Sequence, residues 1–305
     1  MYITTIIVIL LALAVLSLLG YELWQDLREY LDDYWVDRLR RSTPAQHNLK
    51  AIQKIQNSMK GKDAFSFAVI GDTQKSFASF KKILQKQERD KFDFMVHVGD
   101  FTSSGRYTQY MNMVRFLVET AVPVVCGIGN HDISNRGPEC FVHFFGPSNY
   151  YFDINAFRFI FINNTKKEFV PDLHELPGAE QHYKPQRGME AEQIDKLAPL
   201  LQGNQHHFIF IHTPPDFSTF KHHSFTRNSE RFINLMKQNA AKISGVFSGH
   251  IHGYSELVSD GVTYIVSGGA GKKLHASREG ITNKFNYVLV KVESGNVTHQ
   301  VVFFD

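Results

Sequence analysis

Side chains that bind divalent metals follow five apolar runs of the chain. Each run reads as a short buried strand. The polar residues that follow the runs are Asp72, Asp100, Asn130 with His131, His212, and His250 with His252. Carboxylate, amide and imidazole groups are ligands for divalent cations, and α/β sheets gather ligands at the carboxyl ends of their strands. Five such endings in one chain predict a metal site at one edge of a sheet.

Short motifs around these residues resemble those of a known family. The motifs are Asp72-Thr73-Gln74, Gly99-Asp100, Gly129-Asn130-His131-Asp132, the single His212, and Gly249-His250-Ile251-His252, in that order. Over roughly residues 64 to 305, the chain resembles the calcineurin-like metallophosphoesterases. One position departs from the family pattern, because Gln74 stands where the family usually has His.

The resemblance implies a pair of adjacent divalent metals. The implied ligands are Asp72, Gln74, Asp100 and His252 for the first metal, and Asp100 as the bridge, Asn130, His212 and His250 for the second. In this scheme a metal-bound hydroxide attacks phosphorus. His131 would stabilise charge on the phosphate or protonate the leaving group, and Asp132 would orient the His131 ring.

The donor types bear on the identity of the metals. Oxygen ligands combined with imidazoles suit Mn²⁺, Fe²⁺ or Zn²⁺. Gln74 offers a neutral and weak ligand, so we expect Mn²⁺ or Fe²⁺ in preference to Zn²⁺, and a weaker or empty first site stays open. Arg136 follows the third motif closely enough to reach a bound anion, and we predict it as a substrate-binding residue.

The first twenty residues predict a membrane anchor. Residues 1–20 contain no charged side chain, and at about 1.5 Å per residue they would span roughly 30 Å, the thickness of the hydrocarbon core. A cleaved signal peptide fits less well, because no Lys or Arg precedes the apolar run and no small-residue cleavage site ends it. The flanking Arg28, Arg38, Arg40 and Arg41 lie after the anchor. The positive-inside rule then places a single-pass protein with its catalytic domain in the cytoplasm.

The remaining chain divides into a predicted helical stalk or linker over residues 21–62 and a metallophosphoesterase domain over residues 63–305. The apolar spacing of Trp24, Leu27, Leu31 and Tyr34 fits either a short coiled coil or a helix packed on the domain, so the oligomeric state stays open. Strands predicted at 65–70, 94–98 and 122–128 alternate with helices at 80–87 and 107–120, and a hairpin turns near Asn155-Ala156. This order predicts an α/β fold with a mixed sheet, and the resemblance implies a two-sheet sandwich flanked by helices.

Composition excludes some classes of function. The formal net charge of +3 and the absence of a basic stripe with interleaved aromatics argue against a nuclease or other specific nucleic-acid partner. Two cysteines do not form a disulfide framework. We therefore expect a membrane-anchored, dinuclear metal-dependent phosphoesterase acting on a phosphodiester, pyrophosphate or phosphomonoester, with a lipid-linked or nucleotide substrate. The alternative, supported by Gln74, is a catalytically silent, membrane-tethered binding or scaffold protein that retains the fold.

Overall fold

The computed structural model describes residues 2–74, 76–165, 188–220, 223–271, 273–274 and 279–305. The chain divides into two units, Met1–Thr43 and Pro44–Asp305. The first unit is built on helix α1 (Tyr2–Arg40). Within the described residues, no helix has both the length and the apolar character needed to cross a membrane. The transmembrane helix predicted over residues 1–20 is therefore not supported by the structure.

The second unit alternates helices and strands. Its helices are α2 (His47–Met59), α3 (Phe77–Asp90), α4 (Tyr107–Val118), α5 (Gly137–Phe144), α6 (Ala191–Leu200) and α7 (Ser229–Gln238). Its strands are β1 (Ala64–Ile70), β2 (Phe94–His97), β3 (Val124–Cys126), β4 (Tyr150–Ile154), β5 (Phe157–Phe161), β6 (His206–Phe210), β7 (Ile243–Ser248), β8 (Tyr254–Ser259), β9 (Val262–Ser267), β10 (Phe285–Glu293) and β11 (Asn296–Phe304).

These strands form two mixed sheets. In the described part of the chain, the first sheet has the order β11-β10-β1-β2-β3 and the second has the order β4-β5-β6-β7-β9-β8. β1, β2 and β3 are parallel, as are β5, β6, β7 and β9, and antiparallel strands complete both sheets. The predicted α/β two-sheet sandwich is confirmed. Parallel neighbours point their carboxyl ends the same way, so the loops that follow them share one edge of each sheet.

Phenylalanine side chains fill the space between the sheets. Phe67 on β1 is fully buried. Its ring centroid lies 5.2 Å from Phe94 in the same sheet, and 5.3 Å from Phe159 and 5.1 Å from Phe208 in the opposite sheet. Alternate residues of β1 point to this core because side chains alternate across a strand. The aromatic contacts hold the two sheets in a fixed relation, which positions the strand ends.

Helix α2 attaches to the short edge strand β3 through Asn48. The Asn48 amide donates from Nδ2 to the Cys126 carbonyl at 2.9 Å, and its Oδ1 accepts from the Cys126 amide at 2.9 Å. One buried side chain thus makes the pair of hydrogen bonds that a neighbouring strand would make. Pro123 directly precedes β3 and has no amide hydrogen to extend the strand, which accounts for a start at Val124 instead of the predicted Val122; the strand also ends at Cys126, before the predicted residue 128.

His207 on β6 makes the stability of the fold sensitive to acid. The side chain is fully buried, and its pKa is lowered to about 4, chiefly by burial, which outweighs an opposing contact with the Leu201 backbone, and to a smaller extent by the charges of Arg158 and Lys242. In the unfolded chain this histidine binds a proton near pH 6.5, whereas in the folded chain it does so only near pH 4. The contribution of the neutral side chain to the free energy of unfolding is therefore fully present above pH 6.5 and is lost as the pH falls towards 4. The expected loss from this group is about 2 to 3 kcal/mol.

Urea unfolding at pH 7 and pH 4.5 tests this expectation. His207→Leu should lose less stability between the two pH values than the wild type. His206→Leu, which changes the exposed neighbouring histidine, should retain the wild-type difference. Equal pH dependence in all three proteins would contradict the assignment.

Candidate metal centre

The loops that follow β1, β2, β6 and β7 meet at one place. The Asp72 amide donates to the Gly99 carbonyl at 3.0 Å, and the Gly249 amide donates to the His212 carbonyl at 2.9 Å. The two sheets are joined there by the His250 amide, which donates to Asp72 Oδ2 at 2.7 Å. The predicted convergence of strand ends is therefore present in the structure.

Two groups of side chains at this place have the arrangement of metal ligands. Asp100, His212 and His250 form one group, and Asp72, Asp100 and His252 form the other; within each, the ligand atoms lie within 4.8 Å of one another. Asp100 belongs to both groups and is 1% exposed. A carboxylate shared by two groups is the feature that a bridging ligand requires.

His212 is held with one ring nitrogen directed into the site. Its Nδ1 lies 3.0 Å from the Val98 carbonyl, and a carbonyl only accepts, so Nδ1 carries the proton. In the neutral ring, Nε2 then directs a lone pair at Asp100 Oδ2, 3.4 Å away, and at Asn130 Oδ1, 3.1 Å away. Three electron-rich atoms facing one another need either a proton or a cation between them.

When no cation is bound, the negative charge of Asp100 favours a proton on the His212 ring. Burial opposes the charged forms of both Asp100 and His212, but their attraction outweighs it. It holds the pKa of Asp100 below its usual value and raises the pKa of His212 to about 9. A divalent cation takes the place of such a proton when it binds, because metal ligands must be deprotonated. The donor set around His212 therefore fits a cation.

Asp72 fits a cation for a second reason. Its Oδ1 is buried and has no hydrogen-bond partner among the described residues, while it lies 3.5 Å from His252 Nε2. Burial raises the pKa of Asp72 well above the usual value, and the nearby Asp100 raises it further. A buried carboxylate oxygen without a partner is costly, and a bound cation would remove that cost.

Gln74 lies beside His252, where the motif differs from the family pattern. Its Nε2 is 3.2 Å from His252 Nε2. The structure thus brings Gln74 to the group formed by Asp72, Asp100 and His252. A half-turn of the amide would exchange its nitrogen and oxygen and present Oε1 to the site instead.

Backbone strain is concentrated on these residues. Five of the seven predicted ligands have positive φ angles, namely Asp72 (61°), Gln74 (42°), Asp100 (59°), His250 (70°) and His252 (45°). Residues with a Cβ atom rarely adopt this region, and each costs of order 1–3 kcal/mol unless its surroundings hold it there. Such strain clusters at functional sites, and here it follows the strand ends.

Two motif glycines leave the space that the carboxylates occupy. A Cβ atom at Gly129 would lie 2.2 Å from Asp100 Oδ1, and one at Gly249 would lie 2.5 Å from Asp72 Oδ2. Both distances are too short for any side chain. The glycines are therefore required by the close approach of the acidic residues.

The contacts of Asp132 differ from the predicted ones. Its Oδ2 accepts from the backbone amides of Asp100 at 2.7 Å and Gly129 at 2.9 Å. Its Oδ1 accepts from the amide and hydroxyl of Thr102, both at 2.8 Å. Asp132 thus holds two site loops together rather than orienting His131, because a short carboxylate beside free backbone amides accepts from them first.

His131 is oriented by a backbone carbonyl. Its Nδ1 lies 2.9 Å from the carbonyl oxygen of Ser103, so Nδ1 carries a proton and Nε2 is the atom left to act. Nε2 lies 3.9 Å from Asp100 Oδ2, and the side chain is 41% exposed. The ring therefore stands at the mouth of the site in a fixed tautomer.

The family model for the calcineurin-like phosphoesterases matches residues 65–254. The chain belongs to that family. The matched residues contain all seven of the predicted metal ligands, together with His131 and Asp132.

Solved structures share the phosphoesterase fold at low sequence identity. GAP50, the anchor in the inner membrane complex of Plasmodium, has a TM-score of 0.58 at 13% identity, with 79% of this chain and 85% of that chain covered. A dimetal phosphatase from Danio rerio has a TM-score of 0.57 at 16% identity, covering 79% and 99%. A putative 5'-nucleotidase from Staphylococcus aureus has a TM-score of 0.51 at 13% identity, covering 79% and 54%. No curated protein matches the sequence.

Arg136 pairs with a neighbouring carboxylate. Its Nε and Nη2 both lie 2.9 Å from Glu139 Oε1, on helix α5. The guanidinium group therefore has an acidic partner one helical turn away, and its predicted contact with a substrate anion stays a prediction.

Asn164 is a positioning residue that the sequence reasoning missed. Its Oδ1 accepts from the amides of His212 at 3.1 Å and Thr213 at 3.2 Å, and its Nδ2 donates to the Thr213 carbonyl at 2.7 Å. It fixes the backbone on which His212 stands. The signal was present, because Asn163-Asn164 ends a further apolar run, that of β5.

The role of Asp132 is testable without any metal. Asp132→Asn replaces one acceptor oxygen with an amide that faces backbone donors, so we expect the metal-free protein to lose about 1 to 3 kcal/mol of unfolding free energy. Thermal or urea unfolding after chelation measures the loss. Asp260→Asn, which changes an exposed aspartate, should have little effect. Unchanged stability in Asp132→Asn, with activity lost, would instead favour the predicted role in orienting His131.

Proposed function

We propose that the protein is a hydrolase that cleaves phosphoesters with two divalent cations held around Asp100. The observation that carries this proposal is the buried Asp100 carboxylate shared by two groups of ligand atoms. The residues that would hold the cations are Asp72, Gln74, Asp100 and His252 on one side, and Asp100, Asn130, His212 and His250 on the other. When bound, two such cations supply charge that stabilises a phosphoryl group and make water a better nucleophile.

The identity of the cations follows from the donors. Oxygen and imidazole ligands with one weak amide favour Mn²⁺ or Fe²⁺, with Zn²⁺ as the alternative. Gln74 distinguishes the two positions, because it would serve the cation beside Asp72 and His252. We therefore expect that position to bind its cation more weakly than the one beside His212 and His250.

His131 would act on the substrate through Nε2. The Ser103 carbonyl fixes the proton on Nδ1, so the neutral ring can accept at Nε2 and the protonated ring can donate from it. A ring at the open mouth of the site could donate to a phosphate oxygen or give its proton to the leaving oxygen. Asp132 would support this step indirectly, by holding the loop that carries His131.

A phosphodiester or pyrophosphate is preferred to a phosphomonoester, and a lipid-linked phosphate or a nucleotide would fit a membrane-attached enzyme. The net charge of +3 supports no polyanionic nucleic acid.

A second candidate is a membrane-tethered scaffold that retains the fold without turnover. The favouring observation is Gln74, whose amide nitrogen faces His252 where an imidazole ligand is usual. GAP50, which shares the fold at 13% identity, is described as an anchor. The two candidates differ in the number of cations bound, since a silent scaffold needs no complete dinuclear site.

Assays on the full-length chain separate these candidates. The protein is purified in detergent, stripped with a chelator, and supplied with Mn²⁺, Fe²⁺ or Zn²⁺ and aryl phosphodiester or phosphomonoester substrates. We expect metal-dependent turnover with two bound ions per chain. His131→Ala should lower kcat by about 10²- to 10⁴-fold while retaining both ions. Asp100→Asn should lower both turnover and metal content.

The control is His206→Ala, an exposed histidine on β6, which should behave as the wild type. Wild-type turnover in Asp100→Asn would contradict the proposed mechanism. A folded protein with fewer than two bound ions and no turnover on any substrate would favour the scaffold.

We also propose that residues 1–20 attach the protein to a membrane, with the catalytic unit on the cytoplasmic side. The support is the uncharged sequence of this segment. The full-length chain should resist alkaline extraction from membranes. Leu10→Arg with Leu13→Arg should release it, because each arginine at a membrane-spanning position costs about 2.5 to 3.5 kcal/mol.

The matched control for membrane attachment is Leu49→Arg, at an exposed leucine of α2, which should leave the membrane fraction unchanged. Protease added to sealed, right-side-out vesicles, which enclose the cytoplasmic face of the membrane, should leave the catalytic unit intact. Full extraction of the wild type, or digestion of the unit in sealed vesicles, would contradict attachment or orientation respectively.

A further inference from the structure

His97, the last residue of β2, forms hydrogen bonds with both loops that carry the acidic residues of the candidate metal centre. The Gly99 amide donates to His97 Nδ1 at 3.1 Å, and His97 Nε2 lies 3.0 Å from Thr73 Oγ1. Gly99 directly precedes Asp100, and Thr73 lies between Asp72 and Gln74. His97 and Thr73 are both buried. One ring therefore spans the two loops.

The tautomer of His97 follows from its partners. A backbone amide only donates, so Nδ1 is the acceptor, and the proton of the neutral ring is on Nε2. Nε2 then donates to Thr73 Oγ1. The rings of Phe80 and Phe101 lie 6.1 Å and 5.8 Å from the imidazole, measured between centroids. These neighbours limit its rotation, so the link has a defined length.

The segment tied by this link is strained. Asp72 and Gln74, on either side of Thr73, both have positive φ angles. Backbone bonds join the same two loops, from the Asp72 amide to the Gly99 carbonyl and from the Gln74 amide to the Asp100 carbonyl. The His97–Thr73 bond adds a contact between side chains, which a substitution can remove while the backbone bonds stay available.

We propose that His97 and Thr73 are positioning residues that set the distance between Asp72 and Asp100 and thereby couple the filling of the two cation positions. The inference rests on the proposed dinuclear function. Asp72 belongs to one ligand group and Asp100 to both. A change in their separation therefore alters the position beside Asp72 while leaving the group of Asp100, His212 and His250 in place.

Mn²⁺ binding to the full-length chain in detergent tests the inference. Thr73→Val removes the hydroxyl at nearly constant volume. We expect the first Mn²⁺ to bind as in the wild type and the second to bind about tenfold more weakly, the lower end of the effect of losing an outer-shell partner. The electron paramagnetic resonance signal of spin-coupled Mn²⁺ pairs should fall in parallel. Thr73→Ser, which keeps the hydroxyl, should restore both.

His97→Asn provides the second variant. Its amide oxygen can accept from Gly99, but the side chain is too short to replace Nε2. If the two residues act through one bond, the double variant should weaken the second Mn²⁺ no more than either single variant. Thr120→Val removes a half-buried hydroxyl that, among the described residues, bonds to the carbonyls of Leu117 and Val122, and this variant should bind both ions as the wild type does.

The results that would overturn this inference differ from those that would overturn the proposed function. Two Mn²⁺ bound by Thr73→Val with wild-type affinity and spin coupling would overturn the inference and leave the proposed function standing. Additive losses in the double variant would also overturn it. A wild type that binds fewer than two Mn²⁺ would overturn the proposed function, and the inference with it.

Discussion

The site depends on keeping the Asp100 carboxylate charged while it is almost fully buried. Removing a carboxylate from water is costly unless hydrogen bonds and opposite charges surround it. The His131 amide donates to Oδ1 at 2.7 Å, and His212 lies against Oδ2. The surrounding loops are shaped by this requirement. They bring backbone amides to carboxylates, adopt strained φ angles to do so, and place glycine wherever a Cβ atom would collide.

That strain is tolerable because the sheets beneath the loops are rigid. The phenylalanines of β1, β2, β5 and β6 pack in one continuous core between the sheets. A close-packed core of this kind has low compressibility, so the last residue of each strand is held in a fixed place. The affinity of the candidate site for a cation would then reflect the fold as a whole. The predicted ligands come from positions as far apart in sequence as Asp72 and His252, and no local segment could bring them together alone.

Periodic side-chain patterns in the sequence predicted the strands and helices, whereas contacts made by backbone atoms were missed. Apolar runs ending in polar residues located the strands and the site. The hairpin turns at Asn155-Ala156 as predicted, the helix predicted at 80–87 extends over 77–90, and the one predicted at 107–120 ends at 118. Asp132 was given the wrong contacts, because sequence identifies a carboxylate but not which amides lie nearest to it. The Ser103 carbonyl has no sequence signature at all. Asn164 could have been found, since it ends a strand as the ligands do.

The Asn48 side chain has a consequence for how copies of this protein meet one another. An exposed strand edge offers unpaired amides and carbonyls on which another chain can add a strand, a common start of aggregation. Of the edges of the first sheet, the one at β3 is closed at Cys126 by the amide of Asn48, while the other is formed by β11. Asn48 therefore adds to the protection that a short strand preceded by proline already gives this edge against intermolecular pairing, and His47, whose Nε2 lies 3.0 Å from the Val124 carbonyl, covers the next position.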